Sequence, residues 1–151
     1  MAESSTQSIV ISAPCSRVAE VICDFARYPE WAEAVRDAEV IEEYEDGYAS
    51  RVRFVVDAGM LADDYTLVYS YAEDLTRIEW ELAAPSRMQR RQTGSYDLTE
   101  NGDGTCTVTY TLAVELSVAT LGMFRRKAEK MIMDAALKHL KRRVEAGEGT
   151  P

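Results

Sequence analysis

The side chains with usable chemistry fall into a repeating pattern of aromatic and polar groups. Tyr65, Tyr69 and Tyr71 recur at every second position with Leu67, and the same spacing carries Ile78, Trp80 and Leu82. Cys106, Val108, Tyr110, Leu112, Val114 and Leu116 alternate with Thr105, Thr107, Thr109, Thr111, Ala113 and Glu115. Counting by twos from Met88 gives Arg90, Gln92, Gly94, Tyr96 and Leu98. A dry core prefers side chains without polar atoms, because a buried unpaired polar group costs roughly 1–3 kcal/mol. An apolar phase that also carries tyrosines, Trp80, Arg90 and Gln92 therefore fits the wall of a cavity holding a partly polar ligand. The other reading is that tyrosine tips reach the sheet rim and a bulge turns Arg90 and Gln92 outward.

Other reactive groups are sparse. His139 is the single histidine, and its place on an apolar helical stripe favours a hydrogen-bonded core or rim residue over a general base. Asp63 and Asp64 form the one acidic pair of interest, but neighbours on a strand point to opposite faces and cannot share a reaction centre. Cys15, Cys23 and Cys106 show no CxxC spacing and no adjacent base. They read as small apolar fillers in a reducing compartment, with no structural zinc. No GxGxxG, phosphate-binding loop, GxSxG or HExxH is present, and no cofactor is expected.

Period-2 alternation over Gln7–Ser12 predicts an opening strand. Pro14 suits a first helical turn, and Val18, Val21, Ile22 and Phe25 continue a helix to about Ala26. Tyr28-Pro29-Glu30-Trp31 breaks it and starts a second short helix through Val35. From Arg36 to Leu116 six strands follow, with turns at Asp46-Gly47, Ala58-Gly59, Glu73-Asp74, Pro85-Ser86 and Asn101-Gly102-Asp103-Gly104. Turns this short make antiparallel neighbours. One apolar and one polar face per strand mean a sheet covered on one side only.

The cover is the segment from Val118 to about Ala146, a helix on the order of 40 Å long. Leu121, Phe124, Ala128, Met131, Ile132, Ala135 and His139 share one face of it. Small alanines and adaptable Met131 leave room opposite the sheet. The rest of that helix is basic, with eight lysines and arginines against three acids. This is either a solvated face or a patch that docks anionic lipid or a carrier protein.

Size and charge exclude several classes. The 151 residues make one domain, 1–151, with 147–151 read as a disordered tail. Seventeen basic against 26 acidic residues give a net charge of −9, the wrong sign for a nucleic-acid binder. A composition 46% hydrophobic and 28% charged is that of a folded protein. No apolar run approaches a membrane span and no secretory signal is visible. A cytoplasmic monomer or homodimer is expected, with at most transient contact with a membrane surface.

The order strand, helix, helix, six strands, long helix resembles the helix-grip fold of the START, birch-pollen-allergen-like and polyketide cyclase superfamily. The residues that carry the resemblance are Ile9 to Pro14, the stretch from Val21 to Trp31 with its Asp24-Phe25-Ala26-Arg27-Tyr28-Pro29-Glu30-Trp31 part, and Leu121 to Lys130. The last of these is similar to bacterial polyketide cyclase/dehydrase and coenzyme-Q-binding START-like proteins. The resemblance implies an α+β fold, in which a seven-stranded curved antiparallel sheet wraps a long C-terminal helix and two short helices follow strand 1. It also implies a hydrophobic cavity with Trp31 near its entrance and Tyr65, Tyr69, Trp80, Tyr96 and Tyr110 in its wall. Phe54 joins these as a candidate ligand contact.

The leading expectation is a binding or carrier protein for a lipid, isoprenoid quinone or polyketide-like molecule. An enzyme of the cyclase/dehydrase type acting on a bound polyketide chain is the alternative, with no catalytic set assigned. An interaction module docking through the basic helix is a third class.

Overall fold

The computed structural model describes residues 4–57, 62–117 and 125–147. Chain order is β1 (Ser5–Ile11), α1 (Cys15–Cys23), a single 3-10 turn (Phe25–Arg27), α2 (Tyr28–Trp31), β2 (Val35–Glu43), β3 (Ala49–Val56), β4 (Asp63–Tyr71), β5 (Arg77–Leu82), β6 (Gln89–Glu100), β7 (Cys106–Leu116) and α3 (Arg125–Gly147). The strands form one antiparallel sheet in the order β1-β7-β6-β5-β4-β3-β2. Every link from β2 to β7 joins neighbours, as the short turns require. Gly102 and Gly104, at φ +83° and +88°, take the left-handed backbone that tightens the β6–β7 turn.

The second helix is shorter than its sequence suggests. It stops at Trp31, and Val35 opens β2 instead, paired with Val56. The expected Ala58-Gly59 turn, the helix start from Val118 to Phe124 and the tail past Gly147 lie outside the described residues.

α3 packs on β1, β7 and α1. Its core stripe is Met133, Leu137, Leu140 and Val144, all essentially inaccessible, and it meets Ile11, Val18, Ile22 and Val108 to form the dry core. The stripe read from the sequence is a second one beside it. Met131, Ile132 and Ala135 are exposed along the helix edge rather than sealed in the core.

Two devices hold this layer, and neither reads from local sequence. Glu129 belongs to the basic helix yet is fully buried. Its carboxylate accepts from Ser5 Oγ at 2.6 Å and from Val114 N–H at 2.8 Å. The second donor lies just past the Ser5–Leu112 pair that ends the β1–β7 ladder, so Glu129 completes the hydrogen bonding of a strand edge.

The second device corrects the reading of the cysteines. Cys15 and Cys106 are bonded as a disulfide across 91 residues, and only Cys23 is free. Both bonded residues are still buried among apolar neighbours, which is what their types suggested. The bond ties the first residue of α1 to the first residue of β7. Closing so long a loop restricts the unfolded chain, a gain of about 2–4 kcal/mol. Reduction with dithiothreitol should therefore lower the unfolding midpoint in urea, and the double variant Cys15→Ala/Cys106→Ala should show the same midpoint with no response to reductant.

Candidate functional site

Between the aromatic face of β3–β7 and the edge of α3 lies a cavity of about 540 Å³. The strand phase explains its walls. Tyr65, Leu67 and Tyr69 of β4, Trp80 of β5, Tyr96 of β6 and Tyr110 of β7 all face it, as does Phe54 of β3. Register then places them ring to ring. Tyr69 pairs with Trp80, Trp80 with Gly94, and Tyr96 with Tyr110. Ring centroids stand 5.8 Å apart for Tyr69–Trp80, 5.3 Å for Trp80–Tyr96 and 4.8 Å for Tyr96–Tyr110, within the range of favourable aromatic pairs.

The opposite side comes from α3 and the segment after α2. Met131, Ile132, Ala135 and His139 line the cavity from the helix. Met131 is 55% exposed, so the cavity opens beside it. Trp31 lines the same side, its ring tilted against that of Tyr28 with centroids 4.8 Å apart. His139 is a rim latch. Its Nδ1 accepts from Glu33 N–H at 3.5 Å, and its Nε2 stands 3.4 Å from Glu33 Oε2, tying α3 to the chain leading into β2. Phe124 lies outside the described residues, and Ala128 falls on α3 with no side-chain placement described.

Arg90 is a correction. A bulge interrupts β6 between Gln89 and Arg91, so two successive residues, Arg90 and Arg91, turn to the outer face. Arg90 is 61% exposed and paired with Glu115 at 3.5 Å. The bulge brings Gln89 inward in its place and leaves Gln92 inside, both buried and both on the cavity. Each of the two sequence readings of this strand is half right, because the bulge reverses the phase for Arg90 but not for Gln92.

Among the buried polar residues of the wall, sequence reasoning missed Gln89 and Asp63. Asp63 was set aside as half of an acidic pair. The pair divides as strand geometry demands. Asp64 points out, its Oδ1 accepting from Arg53 Nε at 2.9 Å, and that guanidinium holds its carboxyl below the ordinary range. Asp63 points in and is 9% exposed.

The phenols are the main polar content of the wall. Burial raises Tyr69 and Tyr110 far above the ordinary tyrosine value, and neighbouring phenols add to the effect. Tyr65 and Tyr96 are also raised, again through burial first. At neutral pH all four are neutral hydrogen-bond donors. Their hydroxyls have no hydrogen-bond partner among the described residues, whereas those of Tyr28, Tyr44 and Tyr71 each donate to a backbone carbonyl.

An alkaline titration follows from these shifts. The unfolded chain loses phenolic protons near pH 10 while the folded chain keeps them, so stability is intact below that pH and falls as pH rises past it. Absorbance at 295 nm should show the buried tyrosines ionising only together with loss of ellipticity. Free ionisation of every tyrosine near pH 10 in the folded state would contradict this burial.

Comparison with known proteins matches residues 2–145 to the family model described as polyketide cyclase / dehydrase and lipid transport. The chain belongs to this family. Curated protein sequences give no match.

Solved structures place the chain in the helix-grip fold. A START superfamily protein from Mycobacterium smegmatis matches with TM-score 0.87 at 20% identity, over 95% of this chain and 97% of that one. The Zhui aromatase/cyclase from Streptomyces sp. R1128 matches with TM-score 0.85 at 16% identity, over 96% and 94%. A Thalictrum norcoclaurine synthase point mutant matches with TM-score 0.76 at 9% identity, over 99% and 98%. Among the described residues no helix is long and apolar enough to cross a membrane.

Proposed function

We propose that this protein binds and carries a hydrophobic small molecule, a lipid, isoprenoid quinone or polyketide-like compound, between the sheet and α3. The observation that carries this reading is the cavity of about 540 Å³, whose buried wall presents four tyrosine hydroxyls with no partner among the described residues. Rings supply apolar contact at about 25 cal/mol per Å² buried, and the hydroxyls meet oxygen functions of the guest. The family description, which includes lipid transport, points the same way.

A cyclase/dehydrase activity is the second reading, and the same phenols favour it. Neutral tyrosines fixed in a wall can donate to the oxygen of a developing enolate, while the cavity holds the chain in a folded, near-reactive shape. Their raised ionisation suits hydrogen-bond donation and disfavours a role as general base.

Native mass spectrometry of purified protein, with solvent extraction of whatever is released, tests the first reading. A stoichiometric lipid, quinone or polyketide is the expected result. If apolar probes added to the purified protein also fail to bind, the carrier reading is wrong.

A further inference from the structure

A continuous file of hydrogen bonds runs through the aromatic wall. Trp80 Nε1 donates to Gln92 Oε1 at 2.9 Å, Gln92 Nε2 to Gln89 Oε1 at 2.6 Å, and Gln89 Nε2 to Asp63 Oδ2 at 3.2 Å. Ser86 Oγ donates to the same Oδ2 at 2.6 Å, and Asp64 N–H to Oδ1 at 2.9 Å. Trp80, Gln92, Gln89 and Asp63 are each 9% exposed or less, and all four line the cavity.

The direction of this file is dictated by its ends. An indole N–H can only donate, so Gln92 must turn its oxygen to Trp80 and its nitrogen to Gln89. Gln89 is then forced to offer its own nitrogen to Asp63. Every bond in the file points toward the carboxylate, which gathers acceptor character at one place. A carboxylate has about four lone-pair sites, and the contacts above occupy three. No lysine or arginine pairs with Asp63 among the described residues, although a buried carboxylate ordinarily has such a partner. The other charged residues on the cavity, Glu33, Arg36 and Asp57, are exposed at its rim, where Arg36 and Asp57 stand 3.8 Å apart.

We infer that Asp63 and the file behind it select the head group of the guest, accepting one that donates hydrogen bonds, a hydroxyl or an ammonium, and rejecting a carboxylate. The inference rests on the cavity being a site for a hydrophobic ligand. It narrows that reading: a head group seated at Asp63 must donate, so a free fatty acid or another anionic lipid cannot place its carboxylate there. A bound donor takes the remaining lone pair of Asp63, whereas a bound carboxylate places two like charges together in a low-dielectric wall.

The test uses four probes of one shape at pH 7, followed by their fluorescence: 9-methylanthracene, 9-anthracenemethanol, cationic 9-(aminomethyl)anthracene and 9-anthracenecarboxylate. The expected result is binding of the first three, with the ammonium at least about tenfold tighter than the carboxylate. A merely apolar wall would exclude both ions alike, and that outcome in the wild-type protein overturns the inference without any variant. Asp63→Asn keeps the shape and removes the charge. It should bring ammonium and carboxylate to within about threefold of each other, each affinity taken relative to that of 9-methylanthracene on the same variant. An ammonium preference that survives Asp63→Asn also overturns the inference. Failure of 9-methylanthracene itself to bind would instead remove the cavity reading on which the inference stands.

Discussion

Gly94→Ala should destabilise the protein by about 1–3 kcal/mol, a large effect for one added methyl group. Gly94 lies directly across from Trp80 in the β5–β6 register, and the indole lies over its bare Cα. A Cβ built there would stand within the ring system, 2.7 Å from Nε1. The indole has little room to yield, with Tyr69, Tyr96 and Tyr110 all within 5.8 Å of it by ring centroid. Displacing it also breaks the bond from Nε1 to Gln92, leaving a buried amide oxygen without its donor. The expected readout is a lower urea midpoint with an unchanged slope, together with a shift in tryptophan emission. The double variant Gly94→Ala/Trp80→Leu separates the causes. It should be no less stable than Trp80→Leu alone if the clash is the reason, and clearly less stable if glycine is needed for its backbone.

Ala135→Phe should abolish or sharply weaken guest binding, by at least about tenfold, with little change in stability. Ala135 lines the cavity and is exposed, one helical sector away from the core stripe of Met133 and Leu137. A phenyl ring there enters the space between α3 and the tyrosine wall and disturbs no packed contact. The measurement is a 9-methylanthracene titration beside a urea melt. Loss of binding with an unchanged melt locates the guest between sheet and helix. Full binding in the filled variant would move the site elsewhere and remove the carrier reading in its present form.

These two residues show how differently information is held along the chain. In β7, period-2 alternation runs unbroken from Cys106 to Leu116, and the structure buries that phase from Cys106 to Val114. The same is true of Ile78 and Trp80 in β5. In such strands solvent separates the two faces, and each side chain declares its side by its own polarity. The aromatic wall was therefore legible in its strand phase, apart from Tyr71, whose hydroxyl turns to the Ala49 carbonyl, and so was the division of Asp63 from Asp64; for His139 the sequence left core and rim both open.

At the start of β6 that signal fails. Gln89, Arg90, Arg91 and Gln92 are four polar residues in a row, so no polar–apolar alternation marks an inward phase, although a guanidinium is costlier to bury than an amide. The bulge decides, and a bulge is chosen by how β6 meets β7 and by which amide can reach Trp80 and Asp63. The helix poses a related problem. α3 has two apolar sectors, and periodicity alone cannot say which one packs on β1 and which one faces open space.

Element order, the antiparallel sheet, the aromatic phase and the family are all readable along the chain, because they rest on local periodicity and a contiguous motif. The Cys15–Cys106 bond, the burial of Glu129 and the file from Trp80 to Asp63 emerge only once the chain is folded. Each of these joins elements remote in the chain. Its stability comes from partners that no local window contains, whose approach is set by how the strands pair and where each one ends.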